Sequence, residues 1–150
     1  MRLLYRCAAL ILAAALSTAS HAADKNYTKG TVWSVAMIKT EPGKQDDYID
    51  SLKQYYVSVY EEAIKQKVVV SYKILTGVAA NPGDWDILIL IEMPNYAAID
   101  TIEAKIDAIE EKFAGSQAKA DENAKKLMGD RAPIRHIYGD KLMQELHFVK

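Results

Sequence analysis

The stretch from Val68 to Met93 limits what this chain can become more than any other. It reads Val-Val-Val-Ser-Tyr-Lys-Ile-Leu-Thr, a turn-rich loop, then Trp-Asp-Ile-Leu-Ile-Leu-Ile-Glu-Met. Both halves are short, β-branched and aromatic, and Gly77, Asn81, Pro82 and Gly83 punctuate the link, so the pattern predicts two paired strands. Alternate side chains of a strand point to opposite faces. In the second strand Trp85, Ile87, Ile89, Ile91 and Met93 make one wholly apolar face, while Asp86, Leu88, Leu90 and Glu92 make another that is apolar in its middle. In the first strand Val70, Tyr72 and Ile74 oppose Val69, Ser71, Lys73 and Leu75. A sheet with one wet face alternates apolar and polar residues cleanly. This pair does not, so both faces need cover. Helices of the same chain can supply one cover, and the other requires a partner.

Upstream, Arg2 and Arg6 flank a basic start, followed by the apolar run Cys7 to Leu16 and the small-residue segment Ser17 to Ala23. That is the layout of a secretory signal peptide, with Ser20 and Ala22 favouring a cut between Ala22 and Ala23. The run is too short to span about 30 Å of hydrocarbon. The expectation is a signal peptide over 1–22 and a single domain over 23–150, delivered to the periplasm or secreted. Removing the signal takes Arg2, Arg6 and the one cysteine, leaving 17 basic against 20 acidic side chains, a net charge of −3. No nucleic-acid partner is indicated, and Lys125, Lys126, Arg131 and Arg135 read as charges solvating a helix face. No apolar run in the mature chain is long enough for a membrane span, and without cysteine the domain must hold by packing. Asn26-Tyr27-Thr28 fits the glycosylation sequon, which has meaning only in a eukaryotic secretory route.

Thr31 to Thr40 predicts the first strand, with Trp33, Val35 and Met37 on one face. Pro42-Gly43 then turns the chain into a helix from about Lys44 to Gln66. Its stripe is Tyr48, Ile49, Leu52, Tyr56, Val59, Tyr60, Ala63 and Ile64, and Asp46 and Asp47 occupy its first turn. Between the central strands Pro82-Gly83 fits a type II turn, in a loop from Gly77 to Asp84 expected to project beyond the sheet. Asn95 is a candidate N-cap for a helix carrying Ile99, Ile102, Ile106, Ile109 and Phe113, with Gly115 as its C-terminal glycine. A weaker helix runs from Ser116 to Met128, closed by Gly129. Pro133 then suits a helical turn that presents Ile134, Ile137 and Tyr138 together before Gly139, and Lys141 to Phe148 alternates as a last strand.

Strand, helix, strand, strand, helix, an extra helical piece and a strand give an α+β chain resembling the ferredoxin-like βαββαβ arrangement with an antiparallel sheet. With Glu41-Pro-Gly-Lys before the first helix and the closing Gly139-Asp-Lys-Leu-Met-Gln-Glu-Leu, Thr31 to Phe148 resembles the dimeric α/β-barrel superfamily. That group includes antibiotic-biosynthesis monooxygenase-like, haem-degrading, muconolactone isomerase-like and NIPSNAP-like proteins. The resemblance implies two sheets facing one another across a homodimer, in agreement with the second apolar face. Four residues are the interface candidates: Val69, Leu75, Leu88 and Leu90. Burying four such side chains yields roughly 1.5–3 kcal/mol each before association costs. The rival cover is the segment Ser116–Tyr138 folded back over that face. Some relatives bind haem through a histidine; neither main helix here carries one.

No nucleophile elbow, P-loop or glycine-rich dinucleotide fingerprint is present. His136 and His147, with Asp140 and Glu145 between them, match no usual zinc spacing, so neither a metal nor any other cofactor is expected. Tyrosines are the most unusual feature: Tyr48, Tyr55, Tyr56 and Tyr60 crowd the first helix, and Tyr72 and Tyr138 are positioned to approach the same core. Ordinary core packing accounts for such spacing, as it does for Trp33 and Trp85. A tyrosine wall can also orient a planar ligand. Arg135 and His136 form a polar pair, either capping the sheet or, with His136 as general base, joining a site. The ligand-binding candidates are therefore Tyr56, Tyr60, Tyr72, Arg135 and His136. Two readings stand. One is a non-catalytic dimer binding a small hydrophobic or aromatic ligand in a helix–sheet cleft. The other is a cofactor-independent monooxygenase or isomerase acting on an aromatic substrate, with Tyr56, His136 and Arg135 in its pocket. The lack of an acid–base constellation at recognisable spacing tilts the balance toward the first.

Overall fold

Four strands form one antiparallel sheet in the order β2-β3-β1-β4, where β1 is Tyr27–Thr40, β2 Ser71–Thr76, β3 Ile87–Met93 and β4 Arg135–Phe148. The computed structural model describes residues 26–149; the expected signal segment, with Cys7 and the cut after Ala22, lies outside the described residues. Helix α1 (Gln45–Tyr55) continues through a π-helical turn (Tyr56–Tyr60) into α2 (Glu61–Lys65), and α3 (Ile99–Ala114) and α4 (Gln117–Arg131) complete the helical layer. The chain is α+β with an open sheet, consistent with the ferredoxin-like arrangement. Among the described residues no helix is long and apolar enough to cross a membrane.

Parity decides which side chains meet the helices. In register, Ile38 faces Ile87, Ala36 faces Ile89 and Ser34 faces Ile91, while Ile74 faces Ile89 from the other side. These residues share one face, and Ile38, Ile87 and Ile89 pack with Tyr48, Leu52 and Tyr56 of the first helix. A second cluster joins Val59, Ala63, Val68 and Val69 to Ile106 and Ile109 of α3. The opposite face carries Trp33, Val35, Met37, Leu75, Leu88, Leu90 and Met143, none of which joins the two clusters packed under the helices. Helix α4 packs on α3, and its Arg131 reaches Ser51 of α1, so the rival cover from this segment does not form.

Local signals hold where the cap chemistry is strong. Asn95 accepts a hydrogen bond from the Ala98 N–H at 3.1 Å, ahead of a 3₁₀ turn that leads into α3. Gly115 ends α3 in the left-handed region at φ 85°, which a side chain would strain. Ser116, with its side chain accepting from Lys119 N, caps α4.

Several expectations are corrected. Val69 is 2% exposed in the helix-side core, not on the open face, because it lies in the irregular link after α2, ahead of the strand that begins at Ser71. Gly129 lies inside α4, which runs on to Arg131; a single glycine weakens a helix by about 1 kcal/mol and does not stop one. The Pro133 turn is a 3₁₀ turn, Ala132–Ile134, and Ile137 and Tyr138 already belong to β4. Pairing steps from Met37–Gly139 to Ile38–Ile137, so Tyr138 is bulged out and strand parity reverses across it. Gly83 lacks the positive φ of a type II turn, although Asp84 N–H donates to Asn81 O at 3.0 Å. Trp33 lies on the open face beneath the Lys73 ammonium (5.1 Å), and Trp85 is 38% exposed, so neither is core. Phe113 is 55% exposed at the end of α3.

Candidate functional site

The stripe of the first helix repeats every four residues (48, 52, 56, 60), which drifts by about 40° per turn in a helix of 3.6 residues per turn. The π turn absorbs that drift: Glu61 N–H donates to Tyr56 O, one residue wider than an α turn. Tyr56 and Tyr60 consequently stack at 4.6 Å and 18°, and Tyr55 meets both rings edge-on at 5.6 and 5.9 Å. Tyr72 of β2 closes the group, 5.3 Å from Tyr56 and 6.0 Å from Tyr60. Its hydroxyl donates to Glu61 at 3.0 Å, and the Tyr55 hydroxyl donates to Glu110 of α3.

Burial raises these phenols above the ordinary tyrosine value. It pushes the Tyr60 hydroxyl up to about 12, with Glu110 adding to the effect. Tyr55 is raised further by burial and by its bond to Glu110, and Tyr56 by burial and by its neighbouring tyrosines. At neutral pH the cluster therefore offers hydrogen-bond donors and ring faces, and no phenolate base.

Beside the cluster a helix–sheet cleft of about 400 Å³ opens between α3 and the sheet. Ile91 and Met93 of β3 and Leu142 of β4 form its floor; Ile102 and Ile106 of α3 form one wall, and Tyr55 and Tyr60 another. Glu103, Asp107 and Glu110 stand along it on α3. The residues lining it include no histidine, cysteine, lysine or arginine. The volume falls within the range of small-molecule sites, and its lining is mostly apolar with a few polar groups. A second hollow of about 370 Å³, between the first helix, α3 and α4, shares Tyr55 and Glu110, so that hydrogen-bonded pair borders both.

Of the five ligand candidates from the sequence, Tyr60 lines the helix–sheet cleft, and Tyr56 and Tyr72 support it from behind. Arg135 lies elsewhere, its guanidinium 5.5 Å from the Tyr48 ring, and on the other side of β4 the His136 Nε2 lies 3.0 Å from Glu41 Oε1. Register explains the split: Arg135 pairs with Thr40 and His136 with Lys39, on opposite faces. A pocket built from Tyr56, His136 and Arg135 together is not formed. Tyr138 is 48% exposed and stays outside the cluster.

Arg131 was expected to solvate a helix face and is instead 7% exposed, its Nε and Nη2 donating to Ser51 Oγ (3.0 Å) and Ser51 O (2.7 Å). Its guanidinium sits 5.9 Å from the rings of both Tyr48 and Tyr55 and thereby fastens α4 to the first helix. Sequence reasoning missed Tyr55 as a lining residue and missed Glu110 altogether. The available signal was the recurrence of Glu103, Asp107 and Glu110 on one helical face beside the isoleucine stripe. Among the described residues no group of three or more histidine, cysteine or acidic side chains is placed to hold a metal ion.

No protein-family model matches the chain. No curated protein matches it either. Among solved structures the chain is similar to HapK from Hahella chejuensis, at 12% identity and a TM-score of 0.40, over 76% of this chain and 91% of HapK.

Proposed function

We propose that this is an exported, non-catalytic binding protein that holds a small hydrophobic or aromatic ligand in its helix–sheet cleft, and that two copies pair through their open sheet faces as a dimeric α/β barrel. The observation that carries the ligand reading is the cleft itself, apolar on its floor and walled by protonated tyrosines. The monooxygenase or isomerase alternative finds less support, since its three residues are not gathered and His136 is engaged with Glu41 on another face.

The environment-sensitive dye N-phenyl-1-naphthylamine tests the cleft. Its fluorescence should rise and saturate at one dye per chain, and Ile102→Trp, which fills the cleft, should abolish the rise while leaving circular dichroism intact. Equal binding by that variant overturns the reading.

Support for pairing comes from the uncovered apolar face, on which Leu75 and Met143 are 50% and 52% exposed. Two-fold symmetry is the commonest way for one chain to cover such a face. Export rests on the basic, apolar and small-residue segments of 1–22. Intact mass of the mature protein should begin at Ala23, and a mature protein retaining Cys7 contradicts it.

A further inference from the structure

The cleft's charge is as one-sided as its shape is definite. Apart from the two tyrosines, every ionisable side chain lining it is a carboxylate. Glu103, Asp107 and Glu110 fall at i, i+4 and i+7 of α3, so one helical face sets all three along the same wall. Among the described residues no ion pair neutralises Glu103 or Asp107. Lys112 of α3 pairs with Glu62, and on α4 Lys126 pairs with Asp130 while Arg131 is bound to Ser51. Like charges around a low-dielectric cleft focus a negative potential inside it.

Tyr55 and Tyr60 also line the cleft, in edge-to-face contact with one another at 5.9 Å and 64°. Ring faces attract cations and repel anions. An anionic ligand would meet three carboxylates, and a neutral one would use only the apolar floor. A hydrophobic cation uses both.

We propose that the cleft takes a hydrophobic organic cation, an ammonium bearing an aromatic or branched alkyl group. Its apolar body would rest on Ile91, Met93 and Leu142, and its charged end would lie between the tyrosine rings and the α3 carboxylates. This rests on the reading of the cleft as a ligand site and goes beyond it by naming the ligand's chemical class.

Three probes of one size separate charge from shape: benzyltrimethylammonium, its uncharged isostere neopentylbenzene, and the anion benzylsulfonate, each followed by displacement of N-phenyl-1-naphthylamine. At low ionic strength the cation should bind about fivefold or more tightly than neopentylbenzene, and benzylsulfonate should not displace the dye. In the double variant Glu103→Gln, Asp107→Asn, which alters two exposed side chains, the cation's affinity should fall about threefold or more. Neopentylbenzene affinity should not change. Neopentylbenzene binding as tightly as the cation, or a double variant with undiminished cation affinity, overturns the cation assignment and leaves the cleft a ligand site. Failure of the dye and all three probes to bind overturns both.

Discussion

The two faces of this sheet are built from similar apolar side chains and end in opposite conditions. On the helix side Ile87 is 0% exposed and Ile38 2%; on the other side Leu75 and Met143 are about half exposed. Strand propensity and hydrophobicity do not separate these residues. What separates them is the presence of Tyr48, Leu52 and Tyr56 above one face, while the side chains of the other join neither cluster packed under the helices. Val35 departs from this contrast. It lies on the open face, yet in the second-to-edge strand, paired with Leu90 and Lys141, it is 7% exposed. At the edges of the sheet no such flanking exists, and there the apolar surface remains.

The sharpest way to break this contrast is to truncate one residue on each face. Ile87→Ala should cost about 2–5 kcal/mol in urea denaturation, since it leaves a cavity under the helices. Measured in a dissociated background, Leu75→Ala should cost under about 1 kcal/mol; equal losses there would mean that the open face is covered within one chain as tightly as the other. Next in size, Leu88→Lys places a charge in the middle of the open face and should halve the mass found by light scattering. A wild-type monomer at micromolar concentration would remove the paired barrel altogether.

Alkaline titration sharpens the comparison from the helix side. A tyrosine whose pKa is higher folded than unfolded contributes stability that is fully present below about pH 10. That contribution is lost as pH rises toward the folded value, about 12 for Tyr60. Stability should therefore hold to about pH 10 and fall beyond it, with tyrosinate absorbance from the cluster appearing together with unfolding. Ionisation of all tyrosines near pH 10 in a still-folded protein would contradict the burial of the cluster. The smallest effect belongs to a helix end remote from both faces: Asn95→Ala should lower stability by about 1 kcal/mol through loss of the Ala98 N–H acceptor. No change in melting temperature would show that the preceding backbone sets this turn by itself.

Local chemistry made much of the architecture readable. The periodicity of Ile87, Ile89, Ile91 and Met93, the four-residue stripe of the first helix, Asn95 and Gly115 each act within a few residues, so sequence alone determined the strand pair, the main helices and two of their ends. The apolar middle of both sheet faces was likewise present in strand parity. Beyond that reach tertiary structure decided. Whether Val69 belongs to strand or turn depends on where α2 ends, and the side on which Arg135 and His136 emerge depends on pairing with β1 and on a bulge at Tyr138, beside Gly139 at φ 153°. The burial of Arg131 depends on Ser51, eighty residues away. The cleft depends on Tyr55 meeting Glu110 across a separation of 55 residues, through a π turn that no propensity signals. Such contacts arise between elements already formed, from the volume and polar groups each leaves for the next, and a chain's local pattern carries no record of them.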